Sequence, residues 1–256
     1  MLKPNYILLI IFPILTFFYD CADQSETSFT GMEINKECEF IAKEKPESKA
    51  EKCLERMGMV KITDSLPQIL VELKYSTTDN FIGIDFYGDM VNAYVQYECF
   101  LKLRNAYNIL QTMKPGYTFI IYDAARSQEA QQLMWDSVDV APGIKHWYVA
   151  NPQSGSIHNY GMAIDISIVD TAGNVLDMGT KFDYFGDLAY PEKTEQFYKT
   201  GDLSEEQYQN RQLLFNIMSQ AYLYVSKTEC WHYSAASLNY SKEKYQRFVL
   251  NNCIEE

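Results

Sequence analysis

Two short stretches concentrate the side chains able to do hydrolytic chemistry. The first is Ser156-Ile157-His158-Asn159-Tyr160-Gly161-Met162-Ala163-Ile164-Asp165, and the second is Glu229-Cys230-Trp231-His232. In the first, a His in a polar loop is followed seven residues later by an Asp on an apolar strand, and Gly161 permits a sharp entry between them. His and Asp are both zinc ligands, and three protein ligands plus a water make an open catalytic site. On a regular strand Glu229 and His232 face opposite sides, so one of them must sit at a bend if both serve one metal. Taken singly, each pattern also fits a surface His or a packing Trp-His pair. Taken together, two of only three His fall in these segments, each with a carboxylate nearby, and a zinc site is the chemistry to test. His146 lies outside both motifs and reads as a surface or core residue, and Trp231 as packing behind His232.

The elements that must position these residues follow from periodicity. Apolar residues at helical spacing predict a helix over 95–114, stopped by Pro115-Gly116. Residues 117–125 read as a buried strand, and Ser127 as the N-cap of a helix over 127–138. Residues 162–170 alternate as a strand and lead through Thr171-Ala172-Gly173-Asn174 into a hairpin return at 175–178. Ser204 and Gln207 form a capping box opening a helix over 204–225. A strand entering a loop near residues 66–75, a short strand around Glu229–Ser234 and a last helix over 241–251 complete an α+β domain. The expected organisation is a signal segment over 1–21, a polar tether with short helices over 22–58 and one domain over 59–256, built on a central antiparallel sheet flanked by helices.

Composition narrows the function classes. Lys and Arg total 22 against 34 Asp and Glu, a net charge of -12. That argues against nucleic-acid binding through phosphates. Tyr6 to Tyr19 is an apolar run too short for the ~20 residues of a membrane span, and reads as a signal-peptide core behind Lys3. Cys21 stands where a lipoprotein signal would place its acylated Cys, so attachment to a membrane through that residue and a periplasmic location are expected. Five further Cys follow, at 38, 53, 99, 230 and 253, with no CxxC pair to support a thiolate zinc site. An odd number leaves at least one free thiol, and Cys38–Cys53 is one candidate pair with the connectivity left open. No obligate protein partner is evident.

Five segments resemble the D-alanyl-D-alanine dipeptidase branch of the zinc D,D-peptidases. Ser156–Asp165 resembles the Ser-x-His-x-x-Gly-x-Ala-x-Asp signature, and Glu229–His232 its Glu-x-Trp-His. Residues 71–83 (VELKYSTTDNFIG), 122–130 (YDAARSQEA) and 177–185 (DMGTKFDYF) match three more segments, in family order, across ~160 residues. The family's Asp-Gly-Tyr-Arg-Pro is here Asp123-Ala124-Ala125-Arg126-Ser127, and Tyr160 stands where a polar or basic residue is common. The resemblance implies His158, Asp165 and His232 as ligands of one zinc ion and Glu229 as general base. It implies Arg126 as the stabiliser of a developing oxyanion. Tyr75 and Asp183 would bind a free amino group, and Ser156 the carboxylate end of a D-Ala-D-Ala substrate. Two other readings compete: a D,D-carboxypeptidase or endopeptidase on longer stem peptides, and a zinc-containing binding module without catalysis. Glu229 and Arg126 speak against the last, which needs ligands but no base.

Overall fold

The computed structural model describes residues 48–141 and 143–253. The signal segment, Cys21, Cys38 and most of the tether lie outside the described residues. Helix α1 (Lys49–Arg56) is capped by the Ser48 hydroxyl and buries Cys53 and Leu54 in the main core. Strand β1 (Val60–Lys61) pairs antiparallel with β3 (Tyr94–Val95), and the single turn α2 (Ile62–Ser65) follows β1. The principal sheet has five strands in the order β2 (Leu70–Val71), β4 (Thr118–Asp123), β5 (Ala163–Val169), β7 (His232–Ser234), β6 (Tyr224–Val225). All neighbours in it are antiparallel except the edge pair β2–β4, which is parallel. The mixed α+β class is as expected from sequence, and the parallel edge is the departure from a purely antiparallel sheet.

Alternation along β5 divides the sheet into two faces. Ile164, Ile166 and Ile168 enter the main core with Phe119 and Ile121 of β4. Leu103 and Leu110 of α3 (Tyr97–Met113) and Leu214 and Ile217 of α6 (Glu205–Gln220) fill the same core. Asp165, Ser167 and Val169 take the other face, where α4 (Gln128–Ser137) and the long loops lie. Ser127 caps α4 through the Ala130 amide, and Ser204 and Gln207 cap α6 reciprocally, both as the sequence predicts.

Several boundaries differ from the periodic pattern. The α6 helix stops at Gln220 because Tyr222 takes a left-handed φ of 61° and turns the chain into β6. The return after β5 reduces to one bridge, Val169 to Val175, so the hairpin is minimal. Near the C-terminus the expected helix over 241–251 is instead α7 (Leu238–Lys244) followed by a 3-10 turn, Leu250–Cys253. The short helix α5 (Thr194–Thr200) leads into α6. Cys53 bonds to Cys253, with 5.7 Å between Cα atoms and 200 residues between them in sequence. The local Cys38–Cys53 pairing is thereby excluded, and Cys99 and Cys230 are free and buried. No helix among the described residues is long and apolar enough to cross a membrane.

Candidate metal centre and active site

Sheet register assembles the centre. Asp165 on β5 stands opposite His232 on β7 and, on its other side, opposite Asp123 at the end of β4. A register shift between Ile121 and Asp123 brings that last carboxylate into the row. His158 arrives from a 3-10 turn, Ile157–Tyr160, that enters β5 through Gly161. Gly161 has φ 64°, and a Cβ there would lie 2.9 Å from Met59 Sδ and 3.1 Å from the Gln96 amide nitrogen. Only glycine meets both demands at no cost.

Three donor atoms converge. His232 Nδ1 is 3.0 Å from Asp165 Oδ1 and 3.1 Å from His158 Nε2, and His158 Nε2 is 3.4 Å from Asp165 Oδ1. Donors held ~2.0–2.1 Å from one tetrahedral zinc stand about 3.3 Å apart, so the set fits that ion. The tautomer is set for it as well. His158 Nδ1–H donates to the Ala124 carbonyl at 2.7 Å, which leaves the Nε2 lone pair to the metal. No other group of three or more His, Cys, Asp or Glu among the described residues has this spacing. Burial opposes ionisation of Asp165, but the two imidazoles more than offset it and hold its carboxyl well below the usual range.

Glu229 precedes β7 at a bend, as the facing argument requires. Its Oε2 is 3.7 Å from His232 Nδ1, and burial pushes its pKa up. A raised carboxyl beside a metal-bound water is suited to taking and returning a proton. Trp231 is buried against Phe182, 5.6 Å between rings, and also lines the cleft rather than only packing behind His232. His146 is exposed and lines the cleft, but lies outside the donor cluster.

Arg126 is 8% exposed and lines the same cleft. Its Nε donates to Asp123 Oδ2 at 3.0 Å, its Nη2 to the same oxygen, and its Nη1 to Gln131 Oε1 at 3.0 Å. A guanidinium has five N–H donors, so two remain for a ligand. Asp123 is itself fully buried and accepts from the Tyr87 hydroxyl at 2.5 Å and from the Ala124 amide at 2.9 Å. It anchors Arg126 and stands 3.5 Å from His158 Nδ1.

At the other end of the cleft, the Tyr75 hydroxyl donates to Asp183 Oδ1 at 2.8 Å, and the Arg126 guanidinium lies 5.0 Å over the Tyr75 ring. Asp183 Oδ2 is buried with no partner, and the residue holds a left-handed φ of 60°. Such strain outside glycine concentrates at functional sites. Burial, reinforced by Asp165 and Glu229, pushes the Asp183 carboxyl up to about 8 against the Tyr75 hydrogen bond. Ser156 also reaches the cleft wall, and its hydroxyl accepts from the His158 amide. All eight residues singled out from sequence therefore line one cavity of about 290 Å3.

Supporting residues escaped the sequence reading. Buried Asn159 donates to the Arg126 carbonyl at 2.9 Å and accepts from the Ser156 amide at 2.7 Å, which ties the His158 turn to the Arg126 strand end. An acid closing the apolar strand over 117–123 was the available signal for Asp123. Gln131 and Tyr87 gave none.

Comparison with known proteins identifies the family. The Peptidase_M15 family model, described as D-ala-D-ala dipeptidase, matches residues 55–250. The D-alanyl-D-alanine dipeptidase of Escherichia coli (strain K12) is 29% identical over 194 residues, covering 75% of this chain and 93% of that protein. The dipeptidase of the same description from Enterococcus faecium is 28% identical over 181 residues, covering 63% of this chain and 83% of the other. A solved vancomycin resistance D,D-pentapeptidase in complex with Zn(II) shares 16% identity over 64% of this chain and 85% of its own, at a TM-score of 0.29 too low to carry weight. The family match spans most of the chain and the whole of the cleft, and the chain belongs to the M15 peptidases of the D-ala-D-ala dipeptidase type, as a metallopeptidase.

Proposed function

We propose that the protein hydrolyses the free dipeptide D-Ala-D-Ala to D-alanine, using a zinc ion held by His158, Asp165 and His232. The observation that carries this reading is the paired Tyr75 and Asp183, whose buried Oδ2 has no partner and whose carboxyl, raised by burial, would ionise against a cation. A dipeptide's ammonium lies one residue from its scissile bond and supplies that cation. When bound, zinc supplies an acidified water and polarises the scissile carbonyl. Glu229 takes the water's proton and delivers it to the leaving amine. The two spare N–H groups of Arg126 stabilise negative charge developing on the carbonyl oxygen. Asp123 and Gln131 hold that guanidinium in place, so little reorganisation is needed during reaction. Ser156 receives the carboxylate end of the dipeptide.

We also propose export to an oxidising compartment. Its supports are the apolar leader over 6–19, the Cys21 that follows it, and the Cys53–Cys253 bond, which persists outside the reducing cytoplasm. The test of function is amine release from D-Ala-D-Ala, L-Ala-L-Ala and a stem pentapeptide, with and without chelator. D-Ala-D-Ala should be the substrate and chelation should abolish turnover. Efficient release of terminal D-Ala from the pentapeptide would replace this reading with a D,D-carboxypeptidase.

A further inference from the structure

A second cavity, of about 330 Å3, shares no lining residue with the catalytic cleft. Cys230, the residue after Glu229, lines it, together with Arg211 from α6. Arg211 is 4% exposed and bound only by neutral oxygens. Its Nε donates to the Met178 carbonyl at 2.6 Å, and its Nη1 to the Leu188 carbonyl at 2.8 Å and to Thr194 Oγ1 at 3.4 Å. Its Nη2 is buried with no partner among the described residues. Asp177, which acts on it through space, spends its carboxylate on the Gly179 amide and on Gln207. A buried guanidinium without a counter-ion is costly, and an anion at its free edge would relieve that cost.

The walls define which anion. Phe215 and Val225 are apolar, Tyr233 adds a phenol ring, Lys227 adds a second positive charge, and Glu192 disfavours a dianion. The volume excludes anything larger than a small molecule. We propose that this cavity binds a small monocarboxylate with a short apolar body, its carboxylate on Arg211 and its body against Phe215 and Val225. Met178 and Leu188 bracket Asp183 in sequence, so the guanidinium that takes the anion also holds both ends of the loop carrying that carboxylate. The site is independent of whichever peptide the cleft cleaves.

The experiment titrates the zinc-loaded protein with propionate, its neutral isostere propionamide, and inorganic phosphate. The Arg211 Nε–H resonance is followed by 15N NMR, assigned by its loss in Arg211→Lys. The expected result is a saturable shift at millimolar propionate, none with propionamide, weaker binding of phosphate, and several-fold weaker propionate affinity in Lys227→Ala, an exposed substitution the fold tolerates. Absence of a saturable Arg211 shift would overturn the proposal. So would an equal response to propionamide or phosphate, unchanged affinity in Lys227→Ala, or a carboxylate response confined to the His158 and His232 resonances.

Discussion

The two ends of the cleft are built by different means. At the metal end, Asp165 and His232 face each other across paired strands, and His158 is locked by a backbone carbonyl and a glycine-gated turn. At the other end, where an amino group is proposed to bind, Tyr75 sits on the 3-10 turn Lys74–Ser76 and Asp183 on a loop, 108 residues apart in sequence. One hydrogen bond joins them, and distant side chains such as Arg211 hold the supporting backbone. The contrast separates two jobs. In the proposed function, hydrogen-bonded register would fix atoms that must share one ion within tenths of an ångström, whereas a turn and a loop would carry the choice of substrate.

Substitutions should divide along the same line. At the metal end His232→Ala should lose both bound zinc and activity, whereas Glu229→Ala should keep about one zinc per chain. Turnover of Glu229→Ala should fall by ~10^2–10^4, the usual weight of a general base. Metal analysis beside kinetics checks this pair, and near-wild-type activity in Glu229→Ala would remove Glu229 from the mechanism.

At the recognition end zinc should stay bound and discrimination should collapse. Asp183→Asn should lower kcat/KM for D-Ala-D-Ala by about a hundredfold, the loss of ~3 kcal/mol of charge pairing, with little change for blocked substrates. Tyr75→Phe removes one hydrogen bond to that carboxylate, and its cost should be nearer tenfold. A Tyr75→Phe effect larger than that of Asp183→Asn would invert the hierarchy.

The smallest effect is on stability. With no substrate bound, folding raises the Asp183 carboxyl from about 3.9 in an unfolded chain to about 8. The folded state therefore holds that proton more tightly. Its contribution is full below pH ~4 and is lost as pH rises through ~8. Wild-type Tm should fall more steeply than that of Asp183→Asn between pH 5 and 8, as read by thermal unfolding. Parallel curves would mean Asp183 is not strained by burial.

The same contrast explains what the sequence discloses. The candidate cluster of His158, Asp165 and His232 was legible because two of the three His fall in short segments with a carboxylate nearby, while the ligand roles themselves came from family resemblance. The caps of α4 and α6 were legible because they are local. The end of α6 was not, since a left-handed Tyr222 is a choice imposed by the β6–β7 pairing rather than by periodicity. Nor was the Cys53–Cys253 bond, because a link between residues 200 apart depends on where both chain ends pack. Tyr75, Asp183 and Ser156 gained roles only through family resemblance. Nothing in the local spacing of a loop Tyr and a turn Asp marks them as partners.

The proposed preference for free dipeptides rests on one buried carboxylate, Asp183. Its most direct test is the ratio of kcat/KM for D-Ala-D-Ala to that for N-acetyl-D-Ala-D-Ala, measured on zinc-loaded protein. Acetylation removes only the ammonium and leaves the scissile bond and the carboxylate end intact. The ratio should exceed about one hundred in the wild type, because the acetylated substrate leaves Asp183 protonated and forms no charge pair with it, and it should fall toward one in Asp183→Asn. A wild-type ratio near one would contradict it.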